Sequence, residues 1–298
     1  MPPVYNTDRR YRSFASYLFE TFGCRVQKIG LDAGFTCPNR DGTCGTGGCT
    51  YCNNESFSYN TIATTPPIPL VKHLGRGIEH MARRKSNKFI AYFQAFTGTH
   101  APLEKLQLTY DVIRGFNEIV GLFISTRPDC VSEQVLQLIA SYRSDYLTWL
   151  ELGLQSSSDT TLRRINRGHT AADFSHAAQR AHHYGLPVCA HVILGLPGEN
   201  RDTMLATADF LVSCKIESVK IHCLHVMEGT ILEDQWRADE FDLLDQQEYV
   251  GLACDFLEHL PPEVVIQRLA VDAKGSGLLG PLWCGRGKPK TLQMIEQE

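Results

Sequence analysis

Short, continuous runs of apolar and β-branched residues recur along the chain at Arg25–Leu31, Lys88–Ala95, Val120–Ser125, Leu147–Leu154, Pro187–Leu194 and Ser218–Val226. Each is bounded by polar or turn-forming residues, a pattern that predicts strands buried on both faces. Between them lie segments with apolar residues at helical spacing: Pro102–Asn117, Ser132–Tyr142, Asp159–Ile165 with Ala171–Tyr184, and Asp202–Cys214. Regular alternation of strand and helix predicts right-handed βαβ units and a parallel sheet. Six such units give an α/β fold, an open or partial (β/α) barrel.

The texture changes after the sixth run. An acidic stretch from Glu228 to Asp245 precedes a helical segment, Gln246–Leu260, and then Pro261-Pro262 and the strand-like Val264–Leu269. The tail from Gly275 to Lys290 is rich in Gly, Pro and Lys and reads as irregular. The organisation expected is therefore an N-terminal segment over 1–21, the barrel over 22–227 and a small C-terminal extension over 228–298. At 298 residues the length accommodates one barrel domain or two smaller ones, and does not by itself decide the domain count.

Charge alters this picture little. The 29 Lys and Arg against 33 Asp and Glu give a formal net charge of -4, unlike a globally basic nucleic-acid binder. Short basic clusters around Arg9, Arg83 and Arg286 read as solvated faces. No apolar run is long enough for a membrane span and the first residues lack the apolar centre of a signal peptide, so a cytoplasmic protein with no membrane partner is expected. Eleven cysteines in a chain of this size, in a reducing compartment, point to metal rather than to disulfides.

Four of those cysteines fall in one loop directly after the first predicted strand, Cys37-x6-Cys44-x4-Cys49-x2-Cys52. Thiolates bind soft and borderline metals, and glycines 42, 45, 47 and 48 let the loop fold around a bulky group. Spacing leaves three readings open. All four cysteines form a structural zinc site, Cys49 and Cys52 form a redox pair, or Cys37, Cys49 and Cys52 hold three corners of an iron–sulfur cluster and leave one iron open. The zinc reading would make the protein a zinc-stabilised RNA-binding or scaffold protein.

Polar motifs stand where the apolar strands run out: Ser125-Thr126-Arg127-Pro128-Asp129, Glu151-Leu152-Gly153-Leu154-Gln155-Ser156, Asn166-Arg167-Gly168-His169 and Gly195-Leu196-Pro197-Gly198-Glu199. Strand ends that all aim polar groups at one rim suit a cofactor-binding barrel. Together with the cysteine loop these motifs resemble the YhcC-like branch of the radical SAM proteins, related to the radical SAM half of the Elongator catalytic subunit, over roughly Phe22 to Ala273. The resemblance implies a partial (β6/α6) TIM-like barrel carrying a 4Fe-4S cluster on Cys37, Cys49 and Cys52 whose fourth iron takes the amino and carboxylate groups of S-adenosylmethionine (SAM). It further implies reductive cleavage of SAM to a 5′-deoxyadenosyl radical, fed by an electron donor such as a flavodoxin or ferredoxin, acting on an unidentified substrate for which RNA is one candidate.

The same resemblance sets Tyr51 near the adenine, and Gln155 and Arg167 on the SAM ribose and carboxylate. Ser125 stands where relatives place a ribose-binding Glu, and Glu151 opens the strand-four motif that joins the cofactor set. The plain alternatives are that Gln155 caps the next helix and that Arg167 pairs on the surface. Many radical SAM proteins carry Gly-Gly-Glu at the end of strand two; this chain has Phe93-Gln94-Ala95-Phe96-Thr97, with Gln94 and Thr97 placed to substitute. Cys44 has no role in a three-cysteine set. Cys189, Cys214, Cys223 and Cys254 read as small buried hydrophobes, whereas Cys130 and Cys284 are candidates to face substrate. His191, His222 and His225 alternate with apolar residues and are expected to line the barrel interior.

Overall fold

The computed structural model describes residues 9–53, 68–83, 86–273 and 277–298. Six expected strands are present: β1 (Val26–Leu31), β2 (Lys88–Phe93), β3 (Ile119–Thr126), β4 (Leu147–Gln155), β5 (Val188–Leu194) and β6 (Ser218–Cys223). The sixth apolar run breaks after Cys223 and resumes as the two-residue β7 (Val226–Met227). β8 (Val265–Arg268) pairs parallel with β6, so the curled half-barrel has seven strands in the order β1-β2-β3-β4-β5-β6-β8. The strand-like segment of the expected extension thus completes the sheet rather than packing beside it.

The tail departs from expectation. Residues Leu278–Gly280 form β9, antiparallel to β7, and two helices follow at Trp283–Arg286 and Lys288–Gln297. Pro281 and Gly287 sit at junctions between these elements, and Pro289 lies in the first turn of the last helix, where its missing N–H costs nothing. Thr291 and Ile295 of that helix are buried against the barrel.

Helices connect the strands, among them α1 (Phe14–Phe22), α2 (Leu70–Ala82), α3 (Leu103–Asp111), α4 (Glu133–Ala140), α5 (Asp159–Arg164), α6 (Ala171–His183), α7 (Arg201–Ser213), α8 (Ile231–Arg237) and α9 (Gln246–Glu258). Residues alternate across each strand. Ala91, Phe93, Leu122, Ile124 and Leu150 face the helices, while Ile90, Tyr92, Phe123, Trp149 and Cys189 face inward. α1 plugs the barrel at the N-terminal ends of its strands: Phe14 meets Phe123 edge-on at 5.9 Å and Tyr17 meets Trp149 at 5.7 Å between ring centroids. Because α1 crosses residue 22 and β8 follows residue 228, the barrel draws on all three expected segments.

One layer above that apolar floor the interior turns ionic. Glu151 is fully buried, with Lys28 at 2.9 Å from one oxygen and His191 at 2.9 Å and Lys220 on the other. Lys220 also reaches the Tyr92 hydroxyl at 2.9 Å, and Lys28 bonds Gln267. One carboxylate therefore ties β1, β2, β4, β5, β6 and β8 together. Burial opposes its charge, but Lys220, Lys28 and then His191 outweigh that and hold it ionised well below the usual carboxylate range.

Candidate functional site

Above the ionic layer, at the C-terminal ends of the strands, lies a cavity of about 320 Å³. This is the rim on which barrels of this type carry their chemistry. Cys37, Cys49 and Cys52 all line it, as do Tyr51, Gln94, Ser125, Gln155 and Arg167. Cys44 is exposed and not part of the lining.

The cysteine loop is fixed by backbone contacts and by the turn after α5. Gly47 and Gly48 both have φ of 80°, a conformation open to glycine, and bring Cys49 into the interior. Asn39, buried at 2% exposure, donates to the Asn166 carbonyl at 2.6 Å and to the Cys49 sulfur at 3.8 Å, and Asn166 donates back to the Gly48 carbonyl at 2.7 Å. The Thr50 amide bonds the Ile165 carbonyl at 3.1 Å, and the Leu232 amide bonds the Thr50 carbonyl at 2.9 Å. The loop is thereby clamped between the Asn-Arg-Gly-His turn and α8, and Tyr51 packs into the apolar cluster of Leu162, Ile193, Leu224 and Leu232.

Arg167 is buried rather than paired on the surface. Nη1 donates to the Cys49 sulfur at 3.6 Å, Nη2 to the Gly153 carbonyl at 2.8 Å and Nε to His169 Nε2 at 2.9 Å. His169 accepts that bond as a neutral imidazole, because burial and then the Arg167 charge push its pKa down to about 3. Arg127, gripped by both oxygens of Asp129 at 2.9 and 2.7 Å, donates to the Arg167 carbonyl at 2.7 Å. Three of Arg167's five N–H groups are thus committed, and two stay open on the cavity side.

Gln155 does not cap a helix; Ser158 takes that role for α5. A register shift between Gly153 and Gln155 and a φ of 76° at Gln155 bring its side chain to the cavity wall. Thr97, at 1% exposure, also lines the cavity, and its hydroxyl has no hydrogen-bond partner among the described residues. An unpaired buried donor beside Gln94, at the end of β2, is what a ligand's polar group would satisfy. Glu151 is the one expected cofactor residue not brought to the cavity, since its carboxylate is spent on the layer below. Cys284 is fully buried beside Cys223 and does not line the cavity where a substrate would sit, and Cys130 also lies outside the lining, its thiol pushed up to about 12 by burial and the Asp129 charge.

The donor set fits an iron–sulfur cluster better than zinc. In tetrahedral zinc sites the Zn–S bonds of about 2.3 Å bring the sulfurs to about 3.8 Å from one another. Among the described residues, the one trio of ligating side chains whose ligand atoms all lie within 4.8 Å of one another is Glu151, Cys189 and His191, not a set from the cysteine loop. Three cavity-lining thiols spread more widely, with N–H donors on Cys49, suit a larger group.

Residues 40–211 match the family described as the Radical SAM superfamily, and residues 216–298 match the Radical_SAM C-terminal domain. The chain belongs to the radical SAM superfamily. It is 39% identical over 274 residues to Protein YhcC of Escherichia coli (strain K12), covering 91% of this chain and 86% of that one. A tRNA uridine(34) acetyltransferase of Dehalococcoides mccartyi is 32% identical over 157 residues, 51% of this chain and 33% of the relative. Among solved structures, the Methanocaldococcus infernus Elp3 with an N-terminal deletion shares the fold, with a TM-score of 0.66 at 19% identity over 90% of this chain and 62% of that one. This chain therefore spans less than two thirds of that structure. Enzymes of this superfamily work with a 4Fe-4S cluster and SAM. No helix among the described residues is long and apolar enough to cross a membrane.

Sequence reasoning missed several contributors. Asn39 was hidden among loop residues, Lys28 and Lys220 inside apolar runs, and Arg268 at the end of a strand assigned to an extension. The available signal was a polar residue on the inward phase of a buried strand: Ser218, Lys220 and His222 fall on alternate positions of β6.

Proposed function

We propose that this radical SAM enzyme binds one 4Fe-4S cluster through Cys37, Cys49 and Cys52, and SAM against the open iron. The observation that carries this reading is the convergence of those three thiols, and not Cys44, on the cavity that also holds Gln155 and Arg167. When bound, the pair supplies reductive cleavage of the SAM sulfur–C5′ bond and a 5′-deoxyadenosyl radical. The protein's residues position and shield. The open N–H groups of Arg167 suit the SAM carboxylate, Gln155 the ribose, Tyr51 the adenine face, and Gln94 and Thr97 the amino group. Ser125 also lines the cavity. Arg167 and Asn39 donate to Cys49, and such bonds to ligand sulfur tune a cluster's potential.

Half-chain similarity to a tRNA uridine(34) acetyltransferase supports RNA as the first substrate to test; a net charge of -4 limits any contact to a local patch. The electron donor is proposed to be a flavodoxin- or ferredoxin-type protein. The test is iron and sulfide content with a visible spectrum on protein reconstituted without oxygen, then SAM under a strong reductant. About four irons per chain and release of 5′-deoxyadenosine are expected; one zinc with no chromophore would overturn the reading.

A further inference from the structure

The cavity has two ends, and only one is used by the cluster and SAM. At the first, Cys49, Cys52, Tyr51 and Arg167 act electrostatically on one another. At the second stands Arg268, the last residue of β8, whose charge is felt by Tyr92, His191, Lys220 and His222. Four arginines line the cavity, and three have partners: Arg40 donates to the Cys52 carbonyl, Arg127 grips Asp129, and Arg167 bonds Cys49, His169 and Gly153. Arg268 has neither an ion pair nor a hydrogen bond among the described residues. Asp272, the one carboxylate on the lining, accepts from the Lys288 amide at 2.9 Å and makes no ion pair with Arg268.

A half-enclosed guanidinium without a counterion is an uncompensated charge. Beside it, His222 carries a buried Nε2 with no hydrogen-bond partner, on a ring stacked over His191 at 5.6 Å between centroids. His191 cannot turn to serve the same ligand, because its Nε2 is held by Glu151 at 2.9 Å. A fork of cationic donors next to an orphaned imidazole nitrogen matches the oxygens of a phosphate or carboxylate.

We propose that Arg268 and His222 form the substrate anchor, binding a phosphate or carboxylate group of the molecule on which the enzyme acts. This rests on the radical SAM reading of the other end of the cavity. A bound oxyanion here fixes one end of the substrate on the cavity lining and leaves its remainder free to meet SAM, the arrangement that hydrogen abstraction needs.

Oxygen-free calorimetry on the reconstituted enzyme with SAM bound tests this, titrating inorganic phosphate and, separately, acetate. The wild type should bind one of them, and Arg268→Gln should weaken that binding at least tenfold while iron content stays full. His222→Asn should weaken it less, and Arg286→Gln, on the exposed helix after β9, should not change it. A phosphate response lost in Arg268→Gln identifies a phosphate-bearing substrate, and an acetate response identifies a carboxylate. No binding of either anion by the wild type, or equal binding by Arg268→Gln, overturns the proposal. Phosphate bound through Arg268 on a protein that takes up no iron would instead defeat the radical SAM reading alone.

Discussion

Gly153→Ala separates SAM binding from cluster binding. Gly153 lies on β4 outside the left-handed region, so alanine adds no backbone strain, but its Cβ would stand 2.5 Å from Arg167 Nη2 and 2.7 Å from Gln155 Nε2. Relief to ordinary contact requires each terminus to move by about 1 Å. Both are ends of flexible side chains, so the fold should survive at about 1–3 kcal/mol, the usual cost of overpacking. The displaced Arg167 would lose the alignment proposed for it on the SAM carboxylate, a charge-assisted hydrogen bond worth about 1.5–3 kcal/mol. SAM affinity should therefore fall about 10- to 150-fold, read by equilibrium dialysis on reconstituted protein, while the iron count stays full because no cysteine is touched. Full iron with SAM affinity within about twofold of wild type would show that Arg167 and Gln155 do not hold SAM.

Replacing Cys49 with Ala should abolish the chromophore and drop iron to background, whereas Cys44→Ala should leave both intact; the opposite pattern in metal analysis would reverse the ligand assignment. Glu151→Gln leaves two buried ammonium groups without a carboxylate, a cost of about 3–5 kcal/mol. With unfolding entropy near 2.1 cal/mol/K per residue over 298 residues that is a Tm lower by about 5–8 °C. Adding Lys220→Met should recover part of the loss, and a double variant no better than the single would refute the shared-carboxylate account. Burial, then Lys220, push the His191 pKa down to about 4, so the unfolded chain binds more protons between that value and about 6.5. Stability should be fully present above pH ~6.5 and lost as pH falls toward 4, with the His191→Phe variant showing a shallower urea-midpoint profile over that window.

Periodicity revealed six of the sheet's strands because a parallel sheet covered on both faces demands continuous apolar runs, whereas β8, with two of its four residues buried, read as part of an extension. The same rule concealed the interior ionic layer. Lys28 and Lys220 lie 123 and 69 residues from Glu151 on different strands, all three at inward positions, and only closure of the barrel brings their charges to one point. Cys284 was misplaced for a related reason: a Gly- and Pro-rich composition reads as irregular, yet β9 pairs with β7 and carries that cysteine under the barrel rim. The cysteine loop was legible since its ligands are local in sequence, while the residues that orient it, Asn39 excepted, come from a turn about 120 residues away.

That contrast bears on how the site works. The local motif supplies thiols, Asn39 and Arg167 both donate to Cys49, and Arg167 is itself positioned by Gly153, His169 and Arg127, from β4, the turn after α5 and the end of β3. A change at any of these shifts the guanidinium proposed to meet the SAM carboxylate, while the cysteine loop keeps its backbone bonds to Ile165 and Leu232. Arg127→Lys keeps the charge but loses the two-point grip on Asp129, so it should lower SAM affinity with little loss of iron. If Arg127→Lys instead removed iron and left SAM affinity untouched, the Arg127–Arg167 contact would serve the cysteine loop and not the cofactor beside it.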